Sequence, residues 1–540
     1  VVITAERPPV IVRKDTIEFN AESFKTLPTA MVEDLLKKLP GVSVGQDGEI
    51  QVNGKAVSKI LVDGKEFFGG DQQLATKNLP ANIIDKVQIS ADQEALRRDP
   101  DLTEANIPQV INLKLKKAIK QGAFGKLYAG GGLNNRYETG GILNIFRDTT
   151  QVSVLAYGNN LNKSGFSMGD ISRIGGFGRS GFNSLSINSN GGFEINGITF
   201  GGMGSGVMTS SGAGANFNTL TKSGIKLNTQ YFFGQTNSDL NQQTNNNQSL
   251  GNYALISNSQ LFDLSRNYTH RVSGKIDWKI DSLTNLVINP MVSITSLQSD
   301  RNEEKTSQNN AGELLNTSNN SQKQDQKKVD YNLSGNLYRD FRKKGRTATV
   351  SLELSKTDNT NDNFNLALNQ FYLNSSSSIL DQYRNTQISS HSGSARMNFT
   401  EPFSKKLALK MAANTRYLNN ENALYTFYRN PANQNYDIAV PQFSETVQQS
   451  GWKNNVSVKL DWKPIKDLTI TPGIAYNTIS LSSQFIKYAN FKQNYSFVAP
   501  DINIRYKSYA FSYDPTFREP DMQYIQPVVN NTDPLFIQQG

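Results

Sequence analysis

The sequence predicts a mainly β fold, a transmembrane antiparallel β-barrel with a small α+β unit ahead of it, and three observations predict it. From Gly122 onward apolar and polar residues alternate with a two-residue period, in runs of roughly ten to sixteen residues rather than the roughly five or six of soluble strands. Short turns alternate with long polar connections in the same region. Before it, Leu27 to Leu115 is the one stretch that reads as compact, mixed and punctuated by turns.

The alternation is clearest in three places. In Thr347 to Ser355, Ala348, Val350, Leu352 and Leu354 share one face while Thr347, Thr349, Ser351 and Glu353 share the other. In Arg271 to Ile280, Val272, Gly274, Ile276, Trp278 and Ile280 oppose Arg271, Ser273, Lys275, Asp277 and Lys279. In Asn455 to Trp462, Val456, Val458, Leu460 and Trp462 oppose Asn455, Ser457, Lys459 and Asp461. A soluble β-sandwich alternates in the same way, so the connections are the discriminating feature. Short turns at Thr221 to Gly224, Arg342 to Arg346, Pro402 to Lys405 and Pro464 to Asp467 are set against long Asn-, Gln-, Ser- and Thr-rich loops expected at 240–264, 301–326 and 421–449. Trp278, Tyr338, Phe341, Phe399, Phe403, Trp452 and Trp462 lie near strand ends, as interfacial aromatic girdles do. About fifteen strands are expected between Gly122 and Met522.

In the compact stretch, Met31, Leu35, Leu36 and Leu39 recur at helical spacing behind Thr29 as N-cap, with Glu33 and Asp34 early and Lys37 and Lys38 late. Pro40-Gly41 ends the helix. Turns at Asp47-Gly48, Asn53-Gly54 and Asp63-Gly64 separate the short β-rich runs Glu49 to Val52 and Lys59 to Val62. Further strands are expected at Ile83 to Ser90 and Gln109 to Lys116. The unit is near the lower size limit of a domain that holds its own core.

Taken in order, "VEDLLKKLPGVSV", "GEIQVNG", "ILVDGKEFF", "LPANIIDKVQIS" and "VINLKLKK" resemble the plug domain of TonB-dependent outer-membrane receptors, in the version found in Bacteroidetes-type bacteria. The helix ending in LPGV, the VDG turn and the I-x-K-V-x-I strand carry the resemblance jointly. The chain departs from it at Asn106-Ile107-Pro108-Gln109, where many such plugs have Gly-Gly before the V-I-N strand. The resemblance implies a plug in the lumen of a barrel of about 22 strands in the full protein. About fifteen strands here, and an end at Phe536-Ile537-Gln538-Gln539-Gly540 in an expected loop, make this chain an expected C-terminally truncated fragment. The expected division is 1–26 as an N-terminal extension, 27–118 as plug and 119–540 as barrel. Val1, Val2, Ile3, Thr4 and Ala5 form an apolar, β-branched segment able to add as a strand to a partner's sheet, and their place ahead of the plug resembles a TonB box; a frayed edge strand is the equal alternative.

Composition narrows the function. The absence of cysteine excludes disulfides and thiolate metal sites. His270 and His391 sit in strand-like segments without convergent ligands and read as ordinary strand residues. The net charge of +9 comes from scattered Lys and Arg, many in turns such as Arg342-Lys343-Lys344-Gly345-Arg346, which suits solvated turns and anionic lipid head groups rather than nucleic acid. Gly176-Phe177-Gly178-Arg179-Ser180-Gly181 matches a dinucleotide fingerprint but lies in a Gly- and Ser-rich stretch, Lys163 to Ala215, without the strand–turn–helix setting. Asp47, Asp63, Asp71, Asp99 and Asp101 lack calcium-loop spacing. No Ser/His/Asp set, Walker loop or H-E-x-x-H is visible, so the chain is expected not to be an enzyme and to need no cofactor or metal.

The resemblance therefore implies a TonB-dependent outer-membrane receptor for active uptake of an extracellular substrate. Its partners would be TonB, outer-membrane lipid and lipopolysaccharide, and a lipoprotein or assembly protein. An outer-membrane barrel with a structural or assembly role, and a soluble all-β carbohydrate-binding protein, are the alternatives.

Overall fold

The structure, a computed structural model, describes residues 8–13, 15–27, 30–45, 49–66, 76, 79–93, 95, 107–116, 121–147, 149–162, 185–187, 193–195, 198–199, 206–249, 254–507, 509–515, 530–533 and 536–538. The chain divides into two compact units, Val1–Asn196 with Ser210–Phe232, and Gly197–Thr209 with Phe233–Gly540.

The first unit begins with β1 (Val10–Arg13), β2 (Thr16–Asn20), α1 (Val32–Leu36), β3 (Val42–Val44), β4 (Ile50–Val52), β5 (Lys55–Val62), β6 (Lys65–Glu66), β7 (Ile84–Ala91) and β8 (Gln109–Leu115). They form an eight-stranded sheet of order β1-β2-β7-β8-β5-β4-β3 with β6 on β5. Only β5 and β8 pair in parallel among the registers described; the others are antiparallel. The helix begins at Val32 with Met31 as its N-cap residue; Thr29, the expected N-cap, lies outside the described residues. The Asp34 carboxylate accepts the Met31 N–H at 3.0 Å and satisfies a free helix-end donor. Asn53-Gly54 and Asp63-Gly64 take φ of 50° and 76° in both pairs, the left-handed geometry of a two-residue hairpin turn. Asp47-Gly48 lies outside the described residues. Val32, Leu35, Leu36, Ile60, Ile84, Val87, Ile111 and Leu113 are at most 1% exposed and make the core.

β9 (Gln121–Gly131), β10 (Tyr137–Arg147) and β11 (Thr150–Asn159) follow as an antiparallel meander. β12 (Leu185–Ile187) and β13 (Phe193–Ile195) pair as a hairpin, and β14 spans Ile198–Thr199. β15 (Val207–Leu220) pairs with β11 and leads into β16 (Ile225–Ser249).

The second unit holds the long strands: β17 (Ala254–Lys279), β18 (Thr284–Asn309), β19 (Leu314–Asp340), β20 (Thr347–Phe371), β21 (Ser376–Ser404), β22 (Leu407–Arg429), β23 (Tyr436–Ala439), β24 (Glu445–Trp462), β25 (Leu468–Phe485), β26 (Phe491–Tyr506) and β27 (Tyr509–Tyr513). With β9, β10, β11, β15 and β16 they make a 16-stranded sheet in which sequence neighbours are sheet neighbours, apart from β12 to β14 and the short β23. β28 (Asn530–Asp533) and β29 (Phe536–Gln538) form a separate hairpin, so the end expected as a loop is partly strand.

Strand length departs from expectation. β21 runs 29 residues and β19 runs 27, well beyond sixteen. The expected loop 301–326 is β18 continuing to Asn309, a tight turn, and β19 from Leu314; within 240–264, β16 and β17 likewise continue. Asn-, Ser- and Gln-rich tracts have weak strand preference, but here each backbone group finds a partner on the adjacent strand, which outweighs the side-chain preference. The expected 421–449 loop is part strand and part a turn built around Pro441–Phe443.

Candidate functional site

The register sorts the long strands into two faces. One cross-strand row runs Trp278, Leu286, Leu337, Val350, Met397, Ala413, Val456, Tyr476 and Val498, apolar or aromatic at every position over nine strands. One residue along, on the opposite face, the row reads Asp277, Val287, Asn336, Ser351, Arg396, Asn414, Asn455, Asn477 and Phe497. Large side chains of the first face stand in the open: Leu352 is 55% exposed, Val456 54% and Trp452 50%. So much exposed apolar surface would be unfavourable against water and suits hydrocarbon. Trp278 and Trp462 mark one border of the band, Tyr331, Tyr417 and Trp452 the other, and Tyr417 and Trp452 lie 5.0 Å apart. Tyr338, expected in a girdle, pairs with Asn285 on the polar face instead, because the register and not nearness to a strand end fixes its side.

The polar face is the wall available to a solute. Near the short turns, Lys410 of β22 stands directly opposite Lys459 of β24. Like charges so placed repel, and each has a carboxylate: Lys410 lies 3.0 Å from Asp461, and Lys459 lies 2.7 Å from Asp501. Both aspartates are buried, and the Thr471 hydroxyl donates to Asp461 at 2.5 Å. Gly473 leaves room for Asp501, whose Oδ2 would lie 2.6 Å from a Cβ there.

Further from those turns, Arg416 of β22 faces Lys453 of β24, and Arg396 of β21 faces Asn414, two residues before Arg416. Both arginines are exposed. Among the described residues neither makes an ion pair; Glu353, on the same face, accepts from the Asn332 amide at 3.3 Å. At the far ends of the strands the face becomes amide-rich: Asn365, Asn369, Gln382 and Gln449 are buried beside Arg384 and Glu445. Glu445 accepts the backbone N–H groups of Thr446 and Ile486, each at 2.9 Å. At the same level on the other face, Phe364 stacks on Tyr383 at 4.7 Å and meets Tyr436 at 5.4 Å. Tyr383 donates to Asp362 and Tyr436 to Asp381.

The eight-stranded sheet carries its own polar row. Glu18, 5% exposed, accepts from Lys86 at 2.6 Å and from Gln88 at 2.8 Å. The Gln88 carbonyl oxygen accepts from Asn112 at 2.9 Å, and Asn112 Oδ1 accepts the Gly64 N–H at 2.8 Å. The hydrogen bond from Lys86 above all, then that from Gln88, holds the Glu18 carboxyl below the ordinary carboxylate value. Alternation in β2, β7 and β8 places these residues on one face, but their lateral order follows from strand pairing alone.

Of the residues singled out in the sequence, Val1 to Ala5, the Gly176 to Gly181 motif, Asp71, Asp99 and Asp101 lie outside the described residues. Asp63 sits in a turn 3.8 Å from Lys114. His270 lies beside Phe233, ring centroids 4.9 Å apart, and His391 Nε2 is 3.2 Å from the Ser389 hydroxyl. Among the described residues no group of three or more His, Asp or Glu is placed to hold a metal ion, and no helix is long and apolar enough to cross a membrane.

No protein-family model and no curated protein matches the chain. Among solved structures, it is similar to the open form of the ferric-catecholate import receptor Fiu from E. coli K12, at 11% identity over 92% of this chain and 83% of that one, with a TM-score of 0.34. It is also similar to the siderophore receptor PiuA from Acinetobacter baumannii, at 10% identity over 92% and 90%, with a TM-score of 0.33. The copper transporter OprC gives 9% identity over 93% and 91%, with a TM-score of 0.18. The class itself rests on the strands: a long antiparallel meander with one lipid-suited face, one water-suited face and aromatic borders is the wall of an integral outer-membrane β-barrel protein.

Proposed function

We propose that the chain is a TonB-dependent outer-membrane receptor that takes up an extracellular solute, with the unit expected at residues 27–118, to whose sheet β1 and β2 add, as its plug. The observation that carries the reading is the sheet's division into an apolar and a mainly polar face, following a unit whose sequence resembles a plug. In this reading a solute binds along the polar wall. Val1 to Ala5 then pairs by strand addition with TonB, and pulling remodels the plug and opens a path. Lipid and lipopolysaccharide cover the apolar face. Deleting Val1 to Ala5 is expected to abolish uptake by whole cells while leaving solute binding within about twofold; uptake at the wild-type rate would sink the coupling.

The second reading, a barrel with a structural or assembly role, is favoured by one observation. The Phe364, Tyr383, Phe427 and Tyr436 cluster lies on the apolar-face side beyond the ion-paired Lys356 and Asp358, further along the strands than the lipid band. A protein partner held there would co-purify in fixed stoichiometry and be lost on Tyr383→Ala.

A further inference from the structure

Beyond the lipid band the long strands continue in the same register, and four of them leave a cavity there. It measures about 460 Å³ and lies against β18, β19, β20 and β21. Two adjacent cross-strand rows line it, Asn319, Leu368 and Ile379 in one and Thr306, Thr317 and Gln370 in the other. Both rows belong to the face of the lipid band, because Leu368 alternates in step with Leu352 and Leu354 along β20 and the pairing carries that alternation across the neighbouring strands. The opposite face contributes only the single row between them, so the cavity opens on the lipid-band side. Leu368 is 43% exposed and Ile379 71%. Among the described residues the side chains of Thr306, Thr317, Asn319 and Gln370 make no hydrogen bond, which leaves their donors and acceptors available.

We infer that this cavity binds a saccharide segment of the lipopolysaccharide in the protein's own membrane. A sugar presents hydroxyls that each donate and accept, and C–H faces that are apolar. The Asn319 and Gln370 amides offer a donor and an acceptor side by side, the Thr306 and Thr317 hydroxyls offer both on one atom, and Leu368 and Ile379 offer aliphatic surface. Glu304 and Lys305 are the charged groups of the lining, one of each sign, so the cavity suits a neutral ligand better than an anion or a cation. The cores of protein interfaces are built from aromatic and Arg side chains, and this lining has neither, which argues against a protein occupant. Position selects the source. On β20 the band ends at Leu354, before Lys356 and Asp358, and the stretch from Leu354 to Leu368 runs away from the short turn Arg342 to Arg346. At about 3.3 Å per residue and about 40° of tilt, that stretch puts the cavity about 35 Å beyond the lipid. Acyl chains end well below that level, whereas the saccharide of a lipopolysaccharide anchored beside this face is held against it. A solute following the polar wall meets the opposite face. The inference rests on the outer-membrane placement of the chain and not on uptake.

The test is a calorimetric titration of the full chain, folded in a sugar-free zwitterionic detergent. Three probes are used: the polysaccharide released by mild acid from the lipopolysaccharide of the membrane that natively holds the protein, the lipid A left behind, and maltohexaose. The polysaccharide is expected to bind and maltohexaose is not. N319A/Q370A removes two amides, and Ser377→Trp places a ring opposite Gln370 within the cavity; each is expected to bind the polysaccharide at least about tenfold more weakly. Ser450→Ala, on the same face in β24, is expected to change nothing, and lipid A to bind the wild type and all variants alike. The two cavity variants act by different means, loss of hydrogen bonds and loss of volume, and their thermal midpoints without ligand are expected to match that of the wild type. Failure of the polysaccharide to bind the wild type at millimolar concentration, or equal binding by both cavity variants, would overturn the site. Binding of maltohexaose with the same loss in both variants would overturn its assignment to lipopolysaccharide, as would a protein that co-purifies with the wild type and with neither variant. The titration needs neither TonB nor a gradient, so a chain that never imports a solute would leave the site standing, and loss of the site would leave the uptake reading untouched.

Discussion

Leucine and isoleucine face two different solvents in this chain. In the eight-stranded sheet and its helix, Leu36, Ile60 and Ile111 are fully buried at 0% exposure; on the long strands Leu352 and Leu354 are more than half exposed. The first set is stabilised by leaving water for a packed protein interior, the second by leaving water for hydrocarbon. The difference teaches that exposure alone does not mark a misplaced residue: the cross-strand row from Trp278 to Val498 is as consistent as any core, only turned outward.

The comparison can be broken by substitutions that treat the regions alike. Leu36→Ala removes a fully buried side chain and is expected to cost about 2–5 kcal/mol in the stability of the compact unit, read by hydrogen exchange at β7 and β8. Leu352→Arg, mid-band on the apolar face, is expected to cost about 2–4 kcal/mol when the protein refolds into lipid vesicles, whereas Ser351→Arg on the polar face costs under about 1. Equal costs at 351 and 352 would mean that the two faces do not meet different solvents.

A smaller effect sharpens the picture of the compact unit. Glu18→Gln leaves Lys86 without its buried carboxylate and is expected to cost about 1–3 kcal/mol at neutral pH. Because the folded-state pKa of Glu18 is lowered, its contribution is fully present above its ordinary value of 4.5 and is lost as the pH falls through the lower folded value. Stability of the wild type is therefore expected to decline in that acid range more steeply than that of Glu18→Gln, as followed by urea unfolding at a series of pH values.

Much of this was legible before any coordinates. The alternation in Thr347 to Ser355 names the faces of β20, and Asn53-Gly54 and Asp63-Gly64 name two hairpin turns, since few residues other than Gly and Asn accept positive φ. The polar tracts at 240–264 and 301–326 read as loops because Asn, Ser and Gln have little strand preference, and a preference summed along one strand cannot register the hydrogen bonds its neighbours supply. Tyr338 failed for a related reason: an aromatic near a strand end satisfies the composition of a girdle, but a single residue of register decides its face.

By itself, the sequence determined which residues alternate, where the chain turns, that no thiol chemistry is available, and that the leading unit resembles a plug. These are properties of neighbours along the chain, set by local dihedral preference and a period of two. Only the tertiary structure decided that Arg396, Arg416 and Lys453 share a face, that Lys410 and Lys459 are each compensated, and that Glu18, Gln88 and Asn112 form one hydrogen-bonded row. Those groupings join strands through pairing registers, and a register is fixed by hydrogen bonds across the sheet that no single strand contains.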